Sequence, residues 1–435
     1  MIRTERSFEL PFACGQLWPI LAKTDWINRA IGLPPVHYEI TPLREGGTKV
    51  MGKAKFFGMA LHWEEKPFEW IENDFYHVHR VYEGGPLVEA KLGMVFREHG
   101  KARTQVLVFS ELTPRHAVGA MISKTLIAPK GDRDMAAVVE NVQAFLSGAE
   151  KEPIPKLSVS AVAEETLTAG LMRVAKMGMP ASLMIRLEAM LREAPDAALA
   201  HIRPFAVARE WGEDRWKVLR LFLHATRAGL LDLNWSILCP NCRSSRQPPA
   251  TTLEDLTRTS HCEVCNIQYD AEFDKSVELR FRANGALRAT DPQTFCLGGP
   301  GGKPHIVSQI LLPPGARRAW NLPELTVIHR LRSPQVKRSV VLTPDAETKV
   351  IFPTLILCEP DNFKVVTERG GSSQTLIYVM NPNQHTVQLV LERMAWDEDI
   401  LTAARVTNWQ DFRDLFSAEV LSSREEMSVG YQVIL

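Results

Sequence analysis

Residues 134–145 read DMAAVVENVQAF, and with Leu146 they set Met135, Val138, Val139, Val142 and Leu146 at helical spacing. Side chains three and four apart form one stripe on a helix, and that stripe has to be buried against something. The preceding sequence supplies the partner. Residues 48–56, 59–68, 70–82, 87–98 and 103–113 read as strands, with 36–41 alternating ahead of them and Gly46-Gly47 at a turn. The chain opens with a short strand-like piece at 7–11. A helical stretch follows at 13–31, with Leu17, Trp18, Ile20 and Leu21 spaced for one buried face. Strand, helices, a long antiparallel meander and a closing helix define an α+β helix-grip arrangement. In it a curved sheet wraps the last helix and leaves a cavity between them.

Further along, residues 151–155 (KEPIP) are a charged, proline-rich break that reads as a linker. A helical block is expected from 161 to about 231, with 215–228 (RWKVLRLFLHATRA) its strongest helix, ended by Gly229. Beyond residue 276 strand follows strand: 305–312, 325–331, 339–343, 348–357, 363–368, 374–380 and 386–394, separated by Pro, Gly, Asn and Asp. That spacing favours an antiparallel β-sandwich. Residues 408–421 read as a closing amphipathic helix. The expected domains are therefore a helix-grip domain at 1–150, a helical domain at 156–235, a cysteine-rich ribbon at 236–275, a β-sandwich at 276–400 and a C-terminal helix and linker at 401–435.

The 435 residues carry 51 Lys+Arg against 51 Asp+Glu, a net charge of zero. This removes the bulk electrostatic argument for nucleic-acid binding, although a local basic patch stays open. A 45% hydrophobic content excludes a wholly disordered chain. No stretch approaches the roughly 18 apolar residues that would span a bilayer. The start, MIRTERSFELPF, has no apolar core of a secretory signal, so a cytoplasmic protein with no membrane partner is expected.

The seven cysteines are unevenly placed. Cys14, Cys296 and Cys358 are scattered, while Cys239-Pro-Asn-Cys242 and Cys262-Glu-Val-Cys265 form two tight pairs with 19 residues between them. Two intervening residues let both sulfurs of a pair face one ion, and four thiolates at about 2.3 Å complete a tetrahedral zinc shell. Such a shell leaves no position for water or substrate, so the expected Zn2+ is structural. A redox dithiol pair or unliganded core cysteines are the alternatives.

Trp18, Trp26, Phe56, Met59, Trp63, Trp70, Phe75, Tyr82 and Phe96 are candidates to line the helix-grip cavity, which would take a hydrophobic small molecule. The competing reading is that these side chains fill a core. His77-Val-His79 puts two imidazoles on one face of a strand, a spacing that could bind a metal, but the sequence supplies no evident third ligand. Residues 204–234 could be the helix-turn-helix half of a winged-helix unit, but Leu219, Leu221, Phe222 and Leu223 require much of that helix to be buried. Residues 298–303 (GGPGGK) lack the spacing of a phosphate loop, since Pro304 stands where a hydroxyl is needed.

LWPILAKTDWINRAIGLPPVHYE (17–39), RVYEGGPL (80–87), FLHATRAGLLDLNWSILCPNCR (222–243), HCEVCNIQYDAEFDKSVELRF (261–281) and NWQDFRDLFSAEVLSSREEMSVG (408–430) give the chain a family likeness. It resembles the N-terminal regulatory region of one group of bacterial class III adenylate/guanylate cyclases. The resemblance implies a START-like helix-grip domain, a zinc-ribbon-containing domain of unknown function, and a cyclase catalytic domain in cis or trans as partner. A homodimer stays open as a further partner, since the sequence does not reveal the oligomeric state. In that family a segment like 428–435 leads into a strand bearing a metal-binding aspartate. This chain stops at Leu435, so no catalytic residue is assigned. The reading is a non-catalytic sensory region; the alternatives are a stand-alone lyase or hydrolase using the cavity through His77, His79 or Glu89, and a nucleic-acid adaptor.

Overall fold

The computed structural model describes residues 1–417 apart from 57, 101, 151–152, 155–156, 246–248, 322–325, 344–354 and 367–375. The chain divides into two compact units, one built from Met1–Lys156, Glu263–Asn266 and Thr294–Ala395, the other from Leu157–Cys262, Ile267–Gln293 and the chain from Trp396 onward.

The first unit is organised by a 12-stranded sheet. Its main path runs Ile2–Leu10, Thr104–Pro114, Leu87–Glu98, Phe75–Tyr82, Glu69–Ile71, Ile306–Leu312, Val387–Arg393, His329–Ser333 and Val336–Leu342. The sheet forks at Phe75–Tyr82. Its start pairs with Glu69–Ile71, and its end pairs with Met59–Glu65, which leads to Thr48–Phe56 and His37–Pro42. The strand expected at 70–82 is thus two strands, turned at Asn73 in the left-handed region (φ 63°).

The gripped helix is Ala128–Leu146, longer than 134–145, and Ala136, Val138, Val139 and Val142 are its buried stripe. It packs against Ile2–Leu10, Thr104–Pro114 and the helix Cys14–Leu21. The helical stretch expected at 13–31 is two helices, Cys14–Leu21 and Thr24–Ala30. On this inner face Trp18 stands edge-on to Phe96 (ring centroids 5.3 Å) and Tyr76 (6.0 Å).

The C-terminal strands form a sandwich, but not a separate one. Ile306–Leu312 pairs with Glu69–Ile71, with Gln309 opposite Trp70, so one layer continues the helix-grip sheet. The other layer holds Arg317–Asn321, Leu376–Met380, Leu355–Cys358 and Phe363–Val366, and one of its pairings is parallel. Ile310, Trp320, Leu331, Ile356, Ile377 and Leu389 fill the space between the layers.

In the second unit the helical block resolves into Glu164–Lys176, Ala181–Glu193, Pro204–Trp211 and Arg215–Arg227. Val277–Ala283 pairs with Leu231–Ile237 in a two-stranded sheet, and Ile202 forms a single bridge to Phe281. The domain boundary expected at 276 therefore falls inside a paired strand set, because Val277, Leu279 and Phe281 bury themselves against Trp235 and Phe222. Phe222 meets Phe281 edge-on at 5.4 Å. Arg288 is fully buried. It donates to the carbonyls of Leu191 and Ala194 and to Asp196, answering the open carbonyls at the end of Ala181–Glu193. The closing helix expected at 408–421 is instead Ala403–Thr407 and Gln410–Leu415; positions 418–421 lie outside the described residues. Among the described residues no helix is long and apolar enough to cross a membrane.

Candidate functional site

Two arrangements carry chemistry. The first is the cysteine cluster. Cys239 and Cys242 follow the strand Leu231–Ile237, while Cys262 ends the first strand of the hairpin Thr259–Cys262/Ile267–Asp270 and Cys265 lies in its turn. Their sulfurs all lie within 4.8 Å of one another, and Cys239, Cys242 and Cys262 are buried. The Cys242 and Cys262 sulfurs are 3.7 Å apart, too far for a disulfide, which needs about 2.05 Å. The two pairs are built alike. The residue after each second cysteine, Arg243 (φ 53°) and Asn266 (φ 49°), is left-handed, and the Asn241 amide donates to Cys239 Sγ at 3.4 Å. Four sulfurs brought this close form a donor set that fits a thiolate-bound metal ion.

The second arrangement sits on the inner face of the helix-grip sheet. Glu65 is buried, with 4% of its side chain exposed, and its carboxylate accepts from Arg80 Nε (3.0 Å), Trp63 Nε1 (3.3 Å) and Tyr38 Oη (3.3 Å). Arg80 also lies over the Trp63 ring, 5.3 Å from its centroid. Burial works to lower the guanidinium's pKa, but Glu65, Tyr82, Tyr38 and Cys296 around it together outweigh burial and hold Arg80 above its ordinary value. Burial, then Glu65, push the Tyr38 hydroxyl up, and burial raises Tyr82 as well.

A strap at 294–302 docks beside this cluster. Asp25 Oδ1 accepts from the amides of Phe295 (2.7 Å) and Cys296 (2.9 Å), Asn28 donates to the Phe295 carbonyl, and Arg29 stacks on the Phe295 ring at 4.3 Å. Only glycine fits at 301, where a Cβ would stand 2.5 Å from the Ala22 carbonyl oxygen. The stretch that superficially resembles a phosphate loop is thus a close-packed strap. Its Cys296 receives a hydrogen bond from Thr24 Oγ1 (3.1 Å), and burial and Glu65 push its thiol up to about 11.

Of the residues expected to line the cavity, Trp18, Trp63, Tyr82 and Phe96 share this inner face. Trp70 is fully buried, its Nε1 donating to the Ile306 carbonyl. Trp26 and Phe56 are half-buried, on the helix Thr24–Ala30 and at the hairpin end opposite Met59. Phe75 is a correction. It alternates onto the other face, where it stacks with His77 at 5.7 Å and packs against the sandwich core. His77, His79 and Glu89 also point to that outer face, away from the inner one. Sequence reading missed Glu65, Arg80 and Tyr38. The signal was present, since Glu65 and Arg80 occupy inward positions of their strands, two residues from Trp63 and Tyr82 respectively. The helix Arg215–Arg227 is largely buried, and its remaining face is covered within its own unit. Trp216 meets Trp409 at 5.1 Å, Arg220 pairs with Asp411, and Arg227 lies over Phe416.

Known proteins give two kinds of likeness. By fold, about a third of this chain superposes on nearly the whole of several helix-grip structures. They include a protein from Thermus thermophilus (12% identity, 34% of this chain and 99% of that one, TM-score 0.25). An aromatase/cyclase from a Streptomyces species is similar too (12%, 33% and 95%, 0.27), as is a START superfamily protein from Mycobacterium smegmatis (13%, 33% and 98%, 0.25). By sequence, residues 165–297 match a family of unknown function, DUF5939. No curated protein matches the chain.

Proposed function

We propose that this chain is a non-catalytic sensory region: its START-like unit binds a hydrophobic small molecule carrying one polar group, and its four cysteines hold a structural zinc. The observation that carries this reading is the Glu65–Arg80–Tyr38 constellation. Burying two charges is costly, and a well-packed apolar pair of the same volume is often as stable or more so. A sheet face that keeps such a pair beside Trp63 and Tyr82 offers a polar reading point within an apolar wall, which is the composition of a small-molecule site. The resemblance to cyclase regulatory regions supports a place in cyclic-nucleotide signalling, with a cyclase catalytic domain as partner, in the cytoplasm.

The test is a thermal-shift screen of the whole chain against fatty acids, aromatic acids, sterols and nucleotides. A ligand at a hundred times its Kd stabilises by about 2.7 kcal/mol, and Arg80→Met should abolish the shift. A panel in which no hydrophobic molecule stabilises the protein, or a shift that Arg80→Met leaves intact, refutes the reading. Conversion of ATP or GTP to a cyclic product by this chain alone refutes the non-catalytic part.

A further inference from the structure

Large apolar side chains left in water gather at one end of the helix-grip sheet. Val118, Met121 and Leu126 are 57%, 60% and 43% exposed on the helical run Ala117–Ile127, which leads into the gripped helix. Met59, at the tip of the hairpin Thr48–Phe56/Met59–Glu65, and Val88, at the start of its strand, are exposed at the same end. The contacts between these pieces are close. A Cβ on Gly85 would stand 2.6 Å from Leu61 Cδ2, and one on Gly119 would stand 2.2 Å from the Pro86 carbonyl oxygen. Arg115 donates to the carbonyls of Tyr82 (2.6 Å) and Leu87 (3.2 Å), and His116 Nδ1 accepts from the Gly119 amide (2.9 Å). The hairpin tip, the turn at 83–86 and the helical run therefore form one fixed rim.

We propose that this rim docks on an anionic lipid bilayer. Its charge is one-sided. Residues 115–131 (RHAVGAMISKTLIAPKG) carry Arg115, Lys124 and Lys130 and no carboxylate, and residues 50–61 (VMGKAKFFGMAL) carry Lys53 and Lys55 and no carboxylate, in a chain whose total charge is zero. Glu83 is the acidic residue on the turn at 83–86. Lys53 pairs with Glu39 and Lys130 with Asp134, whereas among the described residues Lys55 and Lys124 form no ion pair. Two uncompensated ammonium groups thus border the exposed apolar side chains. Met, Val and Leu flanked by lysines suit a surface whose apolar side chains enter the headgroup boundary while its ammonium groups meet lipid phosphates. No spanning segment is needed, because such a surface lies on the bilayer instead of crossing it.

The experiment is sedimentation of the whole chain with vesicles of equal parts phosphatidylcholine and phosphatidylserine, against vesicles of phosphatidylcholine alone. The chain should pellet with the anionic vesicles, be released from them by molar salt, and stay in solution with the neutral ones. Lys124→Glu and Met121→Asp should each weaken binding at least about tenfold. Both side chains are exposed, so both variants should keep the wild-type circular-dichroism spectrum. Val341→Asp, at a similarly exposed position on the strand Val336–Leu342, should bind like wild type. Anionic vesicles should also slow hydrogen exchange across 117–127. No pelleting at millimolar lipid, equal pelleting with neutral vesicles, or undiminished binding by Lys124→Glu and Met121→Asp overturns the proposal. So does a dimer in gel filtration that Met121→Asp splits, since the rim would then be covered by a second copy of the chain.

Discussion

Arg80→Met should be among the most damaging single changes in the first unit. The Arg80 and Glu65 side chains are 10% and 4% exposed, so neither charge is hydrated. Removing Arg80 takes away the 3.0 Å charged donor and leaves Glu65 with two neutral donors at 3.3 Å, Trp63 and Tyr38. Breaking a buried pair from one side costs about 3–5 kcal/mol, because the surviving charge stays buried without a counter-ion. The lost stacking on Trp63 adds about 1 kcal/mol. Glu65→Leu combined with Arg80→Met should recover most of this loss, since a volume-matched apolar pair is often neutral or better. The two units need not unfold together, so the assay should be local. Hydrogen exchange of the amides in Phe75–Tyr82, followed by mass spectrometry in increasing urea, reads the opening free energy of the strand itself. A cost below about 1 kcal/mol for Arg80→Met, or a double variant no more stable than the single, would show that the pair is not the dry, mutually dependent unit described. A stable double variant that no longer binds ligand would tie the pair to recognition rather than to folding.

Three further outcomes are expected. Glu69 accepts from the Leu311 amide (3.2 Å) and Arg318 Nη1 (2.6 Å). Burial works to raise its pKa, but hydrogen bonds from His77, Arg318 and the Leu311 amide outweigh it, and the folded value is depressed from 4.5 to about 2. Its stabilisation is therefore present above its unfolded pKa and is lost as pH falls towards 2. Glu69→Gln should cost up to about 3 kcal/mol at pH 7 and flatten the acid limb of a stability–pH curve between about 4.5 and 2, while an unchanged limb would contradict the arrangement. Purified protein should carry one zinc per chain. Cys262→Ser or a strong chelator should release it and loosen the hairpin Thr259–Cys262/Ile267–Asp270, whereas thiols that titrate freely in a folded, metal-free preparation would count against the site. Asp25→Ala strips two amides of the strap at a cost of about 1–3 kcal/mol and should speed alkylation of Cys296. Cys358, buried in the sandwich core, should stay protected, so peptide mapping that finds equal rates in wild type and variant would refute the anchoring role of Asp25.

The legibility of this protein follows the range of the interaction that fixes each feature. The four-cysteine site was readable because the geometry within each pair is local: two intervening residues bring both sulfurs to one point whatever surrounds them. The gripped helix was readable for the same reason, its stripe being set by the 3.6-residue period. Strand faces were half readable. Alternation places Phe75 and Tyr76 on opposite faces but does not say which is inward, and so Phe75 was assigned to the wrong side.

What the sequence by itself determined, then, is the inventory: a meander ending in an amphipathic helix, a helical block, a cysteine hairpin and a run of C-terminal strands. What only the tertiary structure decided is which distant pieces meet. Trp70 opposite Gln309 joins the two ends of the first unit into one sheet, and Val277–Ala283 joins the helical unit rather than the sandwich. Glu65, Arg80 and Tyr38 converge on one another, and His77 and His79 each acquire a carboxylate from a neighbouring strand. Strand pairing is chosen by the total burial of both partners, and that quantity has no value until the whole chain has collapsed around it.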